Sequence, residues 1–181
     1  MDSLTQMALG ATAAAVCVPR TDKRRAALIG AALGTLPDLD VLIRYADPID
    51  NFVKHRGFSH SLFVLFPFSL ILWLIGKRIS TRVRKAPYHW LAAIALTLIT
   101  HPLLDAHTVY GTQLLWPLNS PPVMWSTIFI IDPAYTLPLL MAFLAALCAP
   151  QWKGMQTALT LSILLSSSYL TWSWVAKSMV G

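Results

Sequence analysis

Apolar residues gather in six long blocks along the chain, roughly 4–18, 26–36, 61–76, 88–104, 128–149 and 155–176, and charge falls almost entirely between them. A helix needs about 20 apolar residues to cross a bilayer, with a range of about 17–25. The last two blocks meet that length, and the third and fourth lie near its lower limit. The first two are short. Their Gly10, Gly30 and Gly34, set among alanines, suit close helix–helix contact. The pattern predicts an all-α integral membrane bundle of about six helices, some short or tilted, with four or five crossing the membrane. It forms one transmembrane domain over residues 1–181.

Composition supports lipid as the solvent. The 181 residues are 56% hydrophobic and 12% charged, against about 25% charged in ordinary soluble domains. The mean hydropathy is +0.58. A soluble domain of about 150 residues still exposes roughly a third of its unfolded surface, too much to hide this apolar excess. Met1-Asp2-Ser3 carries no basic segment, so the first block reads as a retained helix. Cys17 and Cys148 lie in apolar runs without a CxxC pair, and two buried free thiols are expected.

The net charge of +6 has a topological explanation. With the N-terminus outside and six alternating segments, the inner loops hold Arg20, Lys23, Arg24, Arg25, Lys77, Arg78, Arg82, Arg84, Lys85 and Lys153. That is ten of the fourteen bases, the bias expected of cytoplasmic loops. No nucleic-acid partner is needed to account for it. All seven tryptophans fall near the predicted interfaces, as an aromatic belt would.

The same topology sorts the chemistry. All eight acids are aspartates, and seven of them fall outside with His55, His60, His101 and His107. Three motifs stand out there. In Leu36-Pro37-Asp38-Leu39-Asp40, Pro37 turns the chain out of helix, and two carboxylates two apart can converge only on irregular backbone. In His55-Arg56-Gly57-Phe58-Ser59-His60-Ser61, two imidazoles flank a guanidinium that can pair with an oxyanion. Ser59 or Ser61 can cap the third helix. In His101-Pro102-Leu103-Leu104-Asp105, an imidazole and a carboxylate share one helix face at i and i+4. Taken singly, each has a plainer reading: capping and a solvated loop, a basic interfacial loop, or a self-satisfied His–Asp pair. Jointly, Asp38, Asp40, His55, His60, His101 and Asp105 form a mixed nitrogen and oxygen set suited to zinc or another divalent metal. Asp2 and Gln6 begin the first helix on the same face. Asp132, before Pro133, reads as the cap of the fifth.

These motifs resemble a known family. The Met-Asp-Ser-Leu-Thr start and the three motifs above are similar to the bacterial inner-membrane metal-dependent hydrolases of the YdjM type. So are Tyr110-Gly111-Thr112-Gln113-Leu114-Leu115-Trp116-Pro117 and Ile130-Ile131-Asp132-Pro133. The resemblance covers about residues 1–140. It implies a multi-pass protein of the bacterial inner membrane with metal-dependent hydrolase activity. In one departure, Gln6 stands where the family pattern has histidine.

The reading is therefore a hydrolase at the outer face acting on a lipid-linked or phosphoester substrate, with membrane lipid as its partner. Asp38, Asp40, His55, His60, His101 and Asp105 hold the metal, zinc foremost. Asp40, Asp105 and Arg56 serve catalysis, with Arg56 on the oxyanion and an aspartate as general base. The alternatives are an ion-coupled transporter and a non-catalytic metal-binding scaffold. The oligomeric state stays open.

Overall fold

The computed structural model describes residues 1–42 and 56–180. Within them the chain forms seven α-helices: α1 (Ser3–Cys17), α2 (Lys23–Thr35), α3 (Leu62–Ile79), α4 (Thr81–Lys85), α5 (Pro87–Asp105), α6 (Pro133–Cys148) and α7 (Met155–Val180). Short 3-10 turns occupy Arg20–Asp22, Pro37–Leu42 and Phe58–His60. Among the described residues there are no strands, only an isolated antiparallel bridge between Thr112 and Val123.

Local chemistry sets several boundaries. The Asp2 carboxylate accepts from the Thr5 N–H at 3.0 Å and caps α1. The Ser61 hydroxyl accepts from the Phe63 N–H at 3.2 Å and caps α3. Asp132 accepts from the N–H groups of Ala134 and Tyr135 at 3.1 and 3.3 Å, so α6 begins at Pro133, later than the apolar run that starts near 128. Such caps contribute about 1 kcal/mol each. The α4 turn falls in the basic 77–85 segment expected to be loop, and its Val83 is buried.

The bundle is built on the α1–α2 pair. A Cβ on Gly30 would lie 2.2 Å from the Gly10 carbonyl oxygen, and one on Gly34 would lie 2.5 Å from that of Gln6. The two main chains touch, which only glycine at these positions allows. Around this pair pack α5 and α6, with Ala11, Ala15, Ala27, Ala31, Phe143 and Leu159 forming one core cluster. Trp90 belongs to another core cluster and is only 3% exposed, so it is a packing residue and not part of an interfacial belt. Cys17 is half-buried and Cys148 exposed, against the expectation of two buried thiols; both are free.

Among the described residues, α3 is the one helix both long and apolar enough to cross a membrane, with a mean hydropathy of 1.8 and only 11% of its length buried. Helices α1 and α6 are apolar but have 15 and 16 residues. The two ends of the bundle differ in chemistry. At one end, Arg82 pairs with buried Asp22 at 2.7 Å. The Lys23 ammonium there donates to the carbonyl of Ala15 at 2.7 Å, capping the C-terminus of α1. At the other end meet the start of α1, the ends of α2 and α5, and the turns at Pro37–Leu42 and Phe58–His60.

Candidate metal centre

Four side chains converge at that second end. Asp38 comes from the turn after α2, His60 from the turn before α3, and His101 and Asp105 from the last turn of α5. His60 Nε2 lies 3.1 Å from His101 Nε2, 3.2 Å from Asp105 Oδ2 and 3.4 Å from Asp38 Oδ1. His101 Nε2 lies 3.3 Å from Asp38 Oδ1 and 3.8 Å from Asp105 Oδ2. All four atoms lie within 4.8 Å of one another. Ligands bound tetrahedrally at about 2.0–2.1 Å stand roughly 3.3–3.4 Å apart, close to the 3.1–3.4 Å separations around His60 Nε2.

Hydrogen bonding fixes which atoms face inward. His101 Nδ1 lies 2.6 Å from the Gly34 carbonyl oxygen. A carbonyl can only accept, so Nδ1 carries the proton and neutral His101 presents a lone pair at Nε2. Behind His60, the Ser59 hydroxyl donates to Asp40 Oδ2 at 2.5 Å, and its oxygen lies 3.0 Å from His60 Nδ1. Asp40 Oδ2 itself is 3.6 Å from that nitrogen. His60 is thereby set with Nδ1 as donor and Nε2 turned inward. A carbonyl behind one histidine and a carboxylate behind the other is the outer shell usual for metal-ligating imidazoles.

Four acceptors thus point at one another with no donor between them, an arrangement that calls for a cation. Asp105 Oδ2 is buried and accepts no hydrogen bond, a costly state for a carboxylate unless charge compensates it. The donor set of two imidazoles and two carboxylates fits zinc and other divalent transition metals. A proton is the other cation such a set attracts. Burial opposes a charged His60, but the Asp105 and Asp38 carboxylates outweigh it and hold the His60 pKa above the ordinary imidazole value. Burial likewise works against ionised Asp38, yet the His101 and His60 imidazoles beside it hold its carboxyl well below the usual range.

The rest of the site surrounds Asp105. Its other oxygen, Oδ1, accepts from the Gln6 amide at 3.0 Å and pairs with the Met1 amino group. The Gln6 amide also donates to the His101 carbonyl at 3.2 Å. Both partners are acceptors, so the amide nitrogen faces them, and Gln6 supports a ligand instead of joining the four. Arg56 Nε stands 3.5 Å from Asp105 Oδ2. Its guanidinium donates to Thr108 Oγ1 at 3.4 Å and lies over the Tyr110 ring, 5.3 Å from the centroid. Arg56 takes a left-handed backbone, φ +63°. That conformation directs its N–H to Asp40 Oδ2 at 3.0 Å and its carbonyl to the Gln113 N–H at 3.1 Å.

Of the residues singled out in the sequence, the fold gathers Asp38, His60, His101 and Asp105 at the centre. It sets Asp40 behind His60 and Arg56 beside Asp105. His55 lies outside the described residues. The Gly34 carbonyl had no signal of its own in the sequence, because it is main chain.

The fold and site define an all-helical protein with a cluster of Asp and His side chains able to bind a metal ion. The chain matches the YdjM inner membrane protein family over residues 1–180 and belongs to it. It is also 35% identical over 91 residues to the inner membrane protein YbcI of Escherichia coli (strain K12). That match covers 49% of this chain and 51% of the relative, so the chain spans about half the length of the curated relative it matches. No solved structure matches it.

Proposed function

We propose that this protein is a multi-pass, metal-dependent hydrolase acting at the outer face of the bacterial inner membrane on a lipid-linked or phosphoester substrate. The observation that carries the reading is the inward convergence of His60 Nε2, His101 Nε2, Asp38 Oδ1 and Asp105 Oδ2 beside an arginine. Asp38, His60, His101 and Asp105 would hold the ion, zinc foremost. The chemistry a divalent ion supplies in such a site is polarisation of an ester oxygen and acidification of water.

The chain's own groups fit the remaining tasks. Arg56 Nε is buried without a hydrogen-bond partner and faces Asp105 Oδ2 at 3.5 Å, which puts the guanidinium beside the cluster where an anionic oxygen would bind. Asp38 is the most accessible member of the cluster, its side chain 22% exposed while the side chains of the other three are fully buried. Substrate therefore approaches from the Asp38 side. Asp40 orients His60 through Ser59 and accepts the proton that Ser59 Oγ shares. Support for several spans comes from length. At 1.5 Å per residue, the 19 residues of α5 and 26 of α7 cover roughly the 30 Å of a hydrocarbon core.

The test is metal analysis of detergent-purified protein beside His101→Ala, with phosphate release from phosphatidic acid vesicles as the activity readout. The reading expects stoichiometric divalent metal in the wild type, its loss in the variant, and turnover only with metal. A folded wild type without metal overturns it. Bound metal without turnover on a panel of phosphoesters favours a scaffold instead.

A further inference from the structure

A cavity of about 380 Å³ lies directly behind the metal cluster, within the roughly 300–1,000 Å³ of small-molecule sites. Its walls are hydrocarbon: Leu36 and Leu39 on the Pro37–Leu42 side, Phe58 on the second turn, and Val64 and Phe68 on α3. Its polar lining is Asp40 and Ser59, the two residues that stand behind His60. Pro37 and Leu39 both line it, and they bracket Asp38, the most accessible member of the cluster.

We infer that this groove holds one acyl chain of a membrane lipid and so delivers the lipid's polar linkage to the cluster. The inference rests on the hydrolase reading and gives its substrate class. Three observations select the occupant. One wall is α3, the helix long and apolar enough to lie in hydrocarbon, with 11% of its length buried. The groove is apolar along its walls and polar only where it meets the residues behind His60, the profile of a hydrocarbon chain ending in a polar group. Leu39 and Phe58 stay exposed at its rim, a cost in water that lipid removes. A second recess, between α3 and α5, offers a contrast. It is larger, about 470 Å³, but is lined by Phe63, Phe66, Ile99 and other apolar residues without a polar group. It suits ordinary surrounding lipid and touches no site.

The test uses the full chain in nanodiscs of phosphatidylethanolamine and phosphatidylglycerol, doped with a phosphatidylethanolamine bearing a diazirine at the end of one acyl chain. After irradiation, adducts are mapped by mass spectrometry. Adducts should concentrate on Leu39, Phe58 and Phe68 above the level at Phe63 and Ile99. Leu39→Trp should abolish the groove adducts and leave those at Phe63 and Ile99, with metal content unchanged. Val64→Trp should do the same from the α3 wall, which guards against one variant failing to fold. Groove adducts no more frequent than those at the α3–α5 recess, or insensitive to both tryptophans, overturn the inference. Protein–protein adducts at Leu39 or Phe58 overturn it too, in favour of a second copy of the chain. Groove adducts in a protein without metal uphold the groove and sink the hydrolase reading; bound metal without groove adducts does the reverse.

Discussion

His60 and His101 turn their Nε2 atoms to each other at 3.1 Å while their Nδ1 atoms face outward, to Ser59 and the Gly34 carbonyl. Two neutral imidazoles in that relation present lone pair to lone pair. The arrangement makes sense around a cation, and the groups behind each ring become as testable as the rings themselves.

Asp40→Asn should weaken metal binding by about 10–100-fold while leaving its stoichiometry intact, as loss of an outer-shell carboxylate does. Chelator competition on the purified protein measures this. An Asp40→Asn protein that loses its metal altogether would make Asp40 a ligand.

Metal affinity should rise with pH. His60 keeps its proton to a higher pH than a free imidazole because Asp105 and Asp38 stabilise the imidazolium. Metal must expel that proton, so binding is opposed below the raised pKa and freed above it. Titrations on either side of about pH 6.5, the ordinary imidazole value, should show affinity still climbing above it. A flat profile there would contradict a histidine ligand with a raised pKa.

Gly34→Ala should destabilise the protein by about 1–3 kcal/mol, the usual cost of overpacking, and weaken metal binding with it. The new methyl would start 2.5 Å from the Gln6 carbonyl oxygen, and separating the helices shifts the Gly34 carbonyl that orients His101. Thermal unfolding in detergent, read with metal content, checks both effects.

Asp132→Ala should cost about 1 kcal/mol through the lost cap and leave metal content alone. Asp132 caps α6 and accepts from the Tyr169 hydroxyl at 2.8 Å, binding α6 to α7, and none of these partners belongs to the four-residue cluster. Equal metal content with a lower unfolding temperature is the expected result.

A reporter fused within residues 77–85 should report cytoplasm, because that segment is the most basic in the chain. The Arg82–Asp22 pair and the metal cluster lie at opposite ends of the bundle. A periplasmic signal would move the site to the inner face.

The residues of chemistry were visible in the sequence because imidazoles and carboxylates are scarce in so apolar a chain. His101 and Asp105 were paired by helix spacing alone, and Pro37 marked where α2 must end. Other features depend on tertiary contact and left no trace. The α4 turn is helical and buries Val83, although its basic residues show no helical pattern. Trp90 looks interfacial by position but packs against the alanines of α1 and α2. The roles of Gln6 and Asp40 became apparent only once their partners were in place, since the same side chains can bind a metal or support a ligand that does.

The glycine contact between α1 and α2 bears on more than packing. One helix brings Gln6 to Asp105, and the other brings the Gly34 carbonyl to His101 and leads into Asp38. The spacing between those helices is set by main chain against main chain, which is the closest two helices can come. Mutation at the seam can therefore widen the cluster but never narrow it.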